Sequence, residues 1–467
     1  MRAMAAVAEI SARTGDAEGS RERASRQSAE EIKALKARDN STNWIYLARI
    51  YVVLAVSICG AIYLDHLAMS GAIARWWSIP VTALAIVAVG ASQHQFGGAV
   101  HEGTHYMLFA NRKLNELASD WLAAFPILTT TFHFRLHHLA HHQFINDPER
   151  DPDISQLQDS DHWLDFPITH MEMVMKLLKQ LWLPNLIRYT LTRARYSATG
   201  GGRHKSPYTI PDQPPSHWPL RIGLVFTVAA PAAIVPMTQN GNWMALYAVL
   251  PAMWAVTVAA LVLLPEKYYM HTRLDRVISH KLTAIGRVTH LAVLFAFVSY
   301  AQLAGWAYGS AWSYFALLWV LPVFTTFPLF MILRQWVQHG NADRGRYTNT
   351  RVFLAGPMVR YAVFPWGMDY HLPHHMIASV PHYNLPKLHE ALQRDPEYAE
   401  KGVIVEGYFG DHENERGNPT ALGVLGPKYA PKQREAVFVD TAALEHADIV
   451  DAAGLQREVE ASLSRDV

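Results

Sequence analysis

The stretch His101-Glu102-Gly103-Thr104-His105 sets two histidines four residues apart, and two similar clusters follow it, His138-Leu139-Ala140-His141-His142 and His371-Leu372-Pro373-His374-His375. Residues three and four apart on a helix share one face, where their side chains can reach a common ion. A structural zinc is filled by four ligands, and a catalytic zinc takes about three plus water. Eight clustered histidines therefore predict two metal ions.

Adjacent histidines in the second and third clusters are predicted to serve different ions. Consecutive helical residues are rotated by about 100°, so one cluster can supply two ions a few ångströms apart. Neutral imidazole suits iron, zinc, copper and nickel, whereas carboxylate suits magnesium or calcium. Soluble di-iron bundles use two E-x-x-H motifs and further glutamates, but this chain has one such motif, from Glu102 to His105. The pattern favours an all-nitrogen transition-metal site.

The composition points to a lipid partner and away from nucleic acid. The chain has 467 residues, half of them hydrophobic, and its 41 basic residues balance 40 acidic ones. A nucleic-acid-binding protein would show an excess of basic residues. The one cysteine, Cys59, lies in an apolar run and can form no intrachain disulfide, iron–sulfur cluster or CxxC pair. Electrons for any redox reaction must come from a separate donor.

Long apolar runs predict a membrane protein, because about 20 apolar residues cross a bilayer. The second run continues without a proline break into Gln93–His105, so its helix would leave the membrane carrying the first histidine cluster. We predict a re-entrant or interfacial stretch at Leu117–Phe134, an interfacial amphipathic helix at Met171–Ile187 and a linker at 195–219. The six predicted spans are Ile45–Leu64, Trp76–Ser92, Leu220–Pro236, Trp243–Leu264, Thr289–Tyr308 and Ala311–Leu333.

Short connections and charge predict how these spans are arranged. The hairpin tips Gln239–Asn242 and Gly309–Ser310 carry no basic residue, whereas the segment between the hairpins is basic, which places it in the cytosol. Both termini and all three histidine clusters then lie on the cytosolic side of a bacterial cell membrane. The predicted fold is an all-α polytopic membrane protein with about six transmembrane segments in hairpins and a cytosolic histidine-rich cap. Its predicted parts are a polar tail at 1–43, a membrane domain at 44–400 and a polar tail at 401–467.

The set HxxxH, HxxHH and HxxHH, carried between transmembrane hairpins, resembles the membrane fatty-acid desaturase family of non-haem di-iron enzymes. The flanks resemble it too, from Asp120-Trp121 to Arg135 and from Val380 to Pro386. The likeness covers roughly residues 45–395, and the triple motif is highly specific. One departure is Gln338, which stands where many relatives carry Glu.

The resemblance implies that two irons, with O2 as co-substrate, introduce a C=C bond into an acyl lipid. The acyl group would be attached to coenzyme A, carrier protein or a glycerolipid. An apolar slot would hold one carbon pair near the metals. A ferredoxin, cytochrome b5 or similar donor would supply electrons, because no haem-binding HPGG segment occurs. The implied metal ligands are His101, His105, His138, His141, His142, His339, His371, His374 and His375.

Other reactions are compatible with parts of this pattern. A related di-iron lipid hydroxylase or an alkene-forming decarboxylase would use the same site. An intramembrane zinc peptidase would use His101, Glu102 and His105 as an H-E-x-x-H motif, leaving six clustered histidines without a role. A metal transporter should place its ligands near the bilayer midplane, but here the clusters lie outside the apolar runs.

Several neighbouring residues have an ordinary interpretation beside a functional one. His133 and His137 flank the second cluster as neighbours, and we expect His94 to pack within its helix. The acidic residues that follow the second cluster either accept the second N–H of ligand imidazoles, as carboxylates near metal sites do, or form a solvated loop. These residues are Asp147, Asp151 and Asp153.

Overall fold

The computed structural model of the chain describes residues 29–200, 206–210, 216–408, 417–431, 436–440, 442–450 and 455–457. Within these residues the chain is mostly helical and contains one two-stranded sheet. Six helices are long and apolar enough to cross a membrane, which confirms the predicted all-α membrane fold. Spans 1 to 6 are Thr42–Met69, Arg75–Thr104, Trp218–Gln239, Ala245–Leu263, His280–Leu303 and Ala311–His339.

The ends of the spans follow local hydrogen bonds more closely than hydropathy. Span 5 begins well before the predicted Thr289, because the side chain of Ser279 accepts the N–H of Leu282 and caps the helix there. It ends before Gly305, whose φ of +75° breaks the helix. The residues at the start of span 5 are partly polar, so an apolar window alone does not include them.

Spans 1, 2 and 6 pack together, and spans 3, 4 and 5 form a second packed set. Span 2 touches span 6 most closely at Gly90. A Cβ atom on Gly90 would lie 2.0 Å from Thr326 Oγ1 and 2.8 Å from the backbone nitrogen of Phe327. The Thr326 hydroxyl donates to the Ile86 carbonyl at 2.9 Å. The absence of a side chain at Gly90 therefore allows the two backbones to approach.

The remaining helices and the sheet lie in the segments between and after the spans. Strands β1 (Val352–Leu354) and β2 (Ile404–Glu406) pair in parallel. The helices are α1 (Arg112–Ser119), α2 (Thr131–Gln143), α3 (Pro152–Asp159), α4 (His170–Gln180), α5 (Leu183–Thr199), α6 (Pro357–Ala362), α7 (His371–Met376), α8 (Leu385–Leu392) and α9 (Pro396–Lys401).

The stretch predicted as re-entrant or interfacial is a broken helix. After α1 the chain makes a π turn over Asp120–Ala124 and a 3-10 turn over Phe125–Ile127. It reverses at Leu128, where φ is +62°. The two turns pack against spans 2 and 5 and bring the chain to the start of α2.

Two expectations about the segment after α3 are wrong in detail. Met171–Ile187 is not one helix but α4 and α5, since Pro184 lies in the first turn of a new helix. Four apolar side chains of α4 remain exposed, as an interfacial helix requires, whereas Met173 is buried; the exposed ones are Met171, Val174, Met175 and Leu178. Residues 195–219 are not simply a linker, because α5 continues to Thr199 and Tyr208 is fully buried. The Tyr208 hydroxyl donates to Gln143 Oε1 at 3.0 Å.

The described residues beyond position 400 pack onto the preceding segments. Strand β2 lies beside β1, and Val405, Leu422 and Leu425 share a buried cluster with Trp336 and Val337 of span 6. The division into 1–43, 44–400 and 401–467 remains a prediction.

We predict that Gly90→Ala destabilises the protein by about 1–3 kcal/mol, the usual cost of overpacking. The added methyl group would meet the backbone of span 6, which cannot move aside cheaply. Thermal unfolding of the detergent-purified chain measures the effect. Gly60→Ala in span 1 is the matched control, since nothing lies within 4 Å of its added Cβ. Equal midpoints for the two variants would contradict the close approach of spans 2 and 6.

Candidate metal centre

Nine histidine side chains converge where spans 2 and 6 end and where α2 and α7 lie. Their ring nitrogens form two groups, and within each group one nitrogen per ring lies within 4.8 Å of the others. Eight of the rings are buried, and His339 is half-buried. The first group is His101, His105, His138, His142 and His374. The second group is His141, His339, His371 and His375. All nine residues singled out in the sequence are therefore brought together.

Helical rotation divides the second and third clusters between the groups. On α2, His138 and His142 are one turn apart and join the first group, whereas His141 faces the second. On α7, His371 and His375 join the second group and His374 the first. In both of these clusters, the histidines at i and i+4 share a group, and the histidine at i+3 belongs to the other group.

A buried arginine fixes α2 against the end of span 2. The last carbonyl groups of a helix have no partner within the helix. Arg135 of α2 donates to the Gly103 and Thr104 carbonyls at 2.8 Å each. Its guanidinium also pairs with Glu116 of α1. Arg135 therefore satisfies the end of the helix that carries His101 and holds the two histidine-bearing helices together.

The spacing of the ring nitrogens suits ions bound between them. With metal–nitrogen bonds of about 2.0–2.1 Å, neighbouring ligand nitrogens lie about 2.8–3.4 Å apart. The observed Nε2–Nε2 distances are 2.9 Å for His105–His138, 3.0 Å for His138–His142, 3.2 Å for His142–His374, 2.9 Å for His339–His371 and 3.1 Å for His371–His375.

Two carboxylates fix which nitrogen faces each group. His141 Nδ1 donates to Asp151 at 2.9 Å, and His142 Nδ1 donates to Asp440 at 2.8 Å. A neutral imidazole has a single N–H, so the Nε2 atoms of both rings carry lone pairs. These lone pairs point at other imidazole nitrogens, an arrangement that a cation stabilises. The donor set therefore fits transition-metal ions.

Burial favours the neutral form of most of the histidine rings, which is the form that binds metal. It holds the pKa of His105, His138 and His142 well below the ordinary value. The same cause lowers the pKa of His371, His374 and His375. Burial also opposes charge on His141, but the adjacent Asp151 carboxylate raises the pKa of that ring.

The three acidic residues after the second cluster are not a solvated loop. Asp151 is 1% exposed and accepts a hydrogen bond from His141, so its carboxylate is placed to orient the His141 ring. Asp153 accepts from His137 Nε2 at 2.8 Å and pairs with Arg193 at 2.8 Å. Asp147 pairs with Arg150 and contacts no histidine of either group. The orienting contact of Asp440 was not foreseen, since it lies 298 residues from His142 in an unremarkable acidic segment.

The neighbouring polar residues belong to neither group. Glu102 accepts the backbone N–H of His382 at 3.0 Å through Oε2, and its Oε1 lies 3.7 Å from Nδ1 of His101. The Gln338 side chain donates to the Met368 carbonyl at 2.9 Å. His133 stacks on His280 with ring centroids 5.3 Å apart. His94 is buried with Nδ1 2.8 Å from the Ala362 carbonyl oxygen, which agrees with a packing role.

A mainly apolar cavity of about 370 Å³ reaches both histidine groups. His101 and His138 line it from the first group, and His141, His339 and His371 from the second. Apolar side chains of the spans, α2 and α5 form most of the remaining wall. The cavity therefore can hold an apolar chain beside the ring nitrogens.

The fold and the site together define a membrane protein with a buried polyhistidine site that could hold metal ions. The chain matches the sequence profile of the family described as Fatty acid desaturase over residues 74–284 and 249–406, and it belongs to that family. It is also 32% identical over 117 residues to the Dihydrorhizobitoxine desaturase of Bradyrhizobium elkanii. That similarity covers 25% of this chain and 30% of the relative, so the chain spans under a third of that protein's length.

We predict that Asp440→Ala lowers the affinity for metal by about 10–100-fold, the usual effect of removing a carboxylate that orients a ligand histidine. The measurement is the iron content of the purified chain after equilibration with buffered Fe²⁺ under argon. Asp448→Ala is the matched control, because Asp448 is 59% exposed and pairs with Arg112. Equal iron content in the two variants would show that Asp440 does not orient His142.

Proposed function

We propose that the protein is an O2-dependent membrane fatty acyl desaturase that introduces a C=C bond at a histidine-ligated di-iron centre. The observation that carries the proposal is the pair of buried histidine groups at the wall of an apolar cavity. Two iron ions bound there would supply O2 activation and the removal of hydrogen from an unactivated C–H bond.

The residues of the chain would hold and position the reacting groups. The nine histidines would bind the irons, while Asp151 and Asp440 keep the Nε2 atoms of His141 and His142 directed inward. The cavity would hold the acyl chain with one carbon pair beside the metals and exclude water from it. Such positioning contributes much of the rate in reactions between bound groups.

The proposed partners follow from the same site. The substrate is an acyl lipid, presented as acyl-CoA, acyl-carrier protein or glycerolipid. Electrons come from a ferredoxin, cytochrome b5 or similar donor, since the sequence has one cysteine and no HPGG segment. No nucleic acid takes part.

We also propose that the metal centre faces the cytosol of a bacterial cell. Basic residues between spans 4 and 5 support this orientation by the positive-inside rule. The histidines at the ends of spans 2 and 6 then lie on the cytosolic side, with both termini. The membrane domain at 44–400 would carry the reaction, and the polar segments at 1–43 and 401–467 would extend from it.

The geometry favours a desaturase over a zinc peptidase. In the H-E-x-x-H mechanism the glutamate acts as general base beside the metal-bound water. Here one oxygen of Glu102 accepts the His382 N–H and the other lies 3.7 Å from His101 Nδ1. Seven further histidines join the first cluster in the two groups, and a peptidase would leave them without a role. A di-iron hydroxylase or an alkene-forming decarboxylase would use the same ligands, and product analysis distinguishes these reactions.

We expect the purified protein to contain close to two irons per chain. His141→Ala should lose both the iron of its group and the activity, because His141 links the second cluster to the second group. The iron content of each purified protein is measured by elemental mass spectrometry. His170→Ala is the control, since His170 lies outside both groups at the start of α4. Stoichiometric zinc with no iron would favour the peptidase.

We expect formation of unsaturated product to require O2 and an external reductant. Host lipids are compared by mass spectrometry with and without expression of the protein, and purified protein is then tested in air and under argon. With the reductant present, the acyl chain should lose two hydrogens in air and should stay unchanged under argon. Activity that persists under strict anaerobiosis would contradict an oxygen-activating site.

A further inference from the structure

Arg287 of span 5 lines the large cavity. Among the residues that the structure describes, no carboxylate lies within ion-pair distance of its guanidinium and no oxygen accepts a hydrogen bond from it. The Asp120 carboxylate favours the charge on Arg287 through space but forms no ion pair with it. A buried charge without a directly bonded counter-ion in a membrane segment costs free energy and marks a candidate functional site. The guanidinium therefore presents its N–H donors to an anion that the described residues do not supply.

The other arginines of the cavity are placed differently. Arg193 is paired with Asp153 at 2.8 Å. Arg334 contacts the sulfur of Met368, which precedes α7, and lies one turn before Gln338 and His339. An anion at Arg334 would lie beside the candidate ligands and compete for the metals. Arg287, on span 5, leaves room for an apolar chain to extend toward the histidines.

The surroundings of Arg287 include a second, small cavity whose wall is more polar than that of the large one. A second cavity of about 40 Å³ shares Ala198, Leu220 and Arg287 with the large one. Thr130, His133, His280 and Thr283 also line it. A space of this size holds a carboxylate or roughly three water molecules, and it is too small for a nucleotide. Arg287 thus lies where the large, mainly apolar cavity meets a smaller and more polar one.

Glycine at position 223 gives the guanidinium its room. A Cβ atom on Gly223 of span 3 would lie 3.1 Å from Arg287 Nη2. That separation is tighter than ordinary contact, so a side chain there would push the arginine aside. Span 3 therefore forms one wall of the space in which Arg287 lies.

We propose that Arg287 binds the ionised carboxylate of an amphiphilic acid whose apolar chain fills the large cavity as far as the histidine groups. Guanidinium recognises carboxylate through charge-assisted, often bidentate hydrogen bonds. An ester or thioester carbonyl is neutral and would leave the arginine charge uncompensated. This assignment of the substrate class rests on the proposed function, and it makes the free acid the form that the protein accepts. A phosphate on an acyl carrier is the other source of an anionic head.

Binding without turnover tests this assignment. The full-length protein in nanodiscs is titrated under argon with dodecanoate and hexadecanoate, with their methyl esters, and with hexadecanoyl-CoA. Kd is measured by equilibrium dialysis of labelled ligand. The variants are Arg287→Gln, Arg287→Lys and Gly223→Ala. Arg221→Gln is the matched control, since Arg221 stacks on Trp218 of span 3 and lines neither cavity.

We expect Arg287→Gln to raise the Kd of the acids by at least about ten-fold, which is the loss of one charge-assisted hydrogen bond. The Kd of the esters should not change. Arg287→Lys should retain most of the affinity, and Gly223→Ala should weaken acid binding a few-fold. Thermal unfolding shows whether each variant is folded. If Arg287→Gln does not fold, Arg287→Lys and Gly223→Ala still test the site.

Three outcomes would overturn the proposal. They are unchanged acid binding in folded Arg287 variants, Arg287-dependent binding of hexadecanoyl-CoA alone, and no binding of either acid to the wild-type protein. Each of these leaves the iron and O2 experiments to decide the proposed function. Conversely, Arg287-dependent acid binding in a protein that contains no iron would reject the desaturase and retain the anion site.

Discussion

Buried imidazole nitrogens that face one another at about 3 Å are stable only if a proton or a cation lies between them, and this constraint governs the protein. The lone pairs of His141 and His142 are directed inward by Asp151 and Asp440. Burial favours the neutral form of other rings that lie outside the spans, such as His105, His138 and His374. The polypeptide thus brings together donors that repel in the absence of an ion, and the surrounding structure must hold them in place.

The surrounding structure does this with satisfied backbone groups and close helix packing. Arg135 joins α2 to the last carbonyl groups of span 2, where the first cluster lies. Gly90 lets span 2 approach span 6, whose last residue is His339. Helix ends are suitable places for such ligands, because a rigid span fixes the depth of each ring relative to its neighbours. The cavity beside them is formed by the same helices.

Much of this arrangement could be predicted because it is periodic along the chain. Histidines at i, i+3 and i+4 determine which rings share a group, and apolar runs determine where the helices cross. The missed features are contacts between distant segments. Nothing near Asp440 signals that it meets His142, and the composition around Tyr208 suggests a linker although that ring is buried. In the sequence Arg287 is one of several basic residues between the predicted hairpins, and only the folded chain shows that it lines a cavity without an ion pair among the described residues.

The contact of His142 with Asp440 has a consequence for biosynthesis. It joins residues 298 positions apart, across all of spans 3 to 6. At translation rates of about 5–20 residues per second, His142 leaves the ribosome about 15–60 s before Asp440 does. Throughout that interval His142 is already made but lacks the carboxylate that sets its tautomer, whereas Asp151 is already available to His141. The first histidine group therefore reaches its final form only after the chain has been synthesised through residue 440.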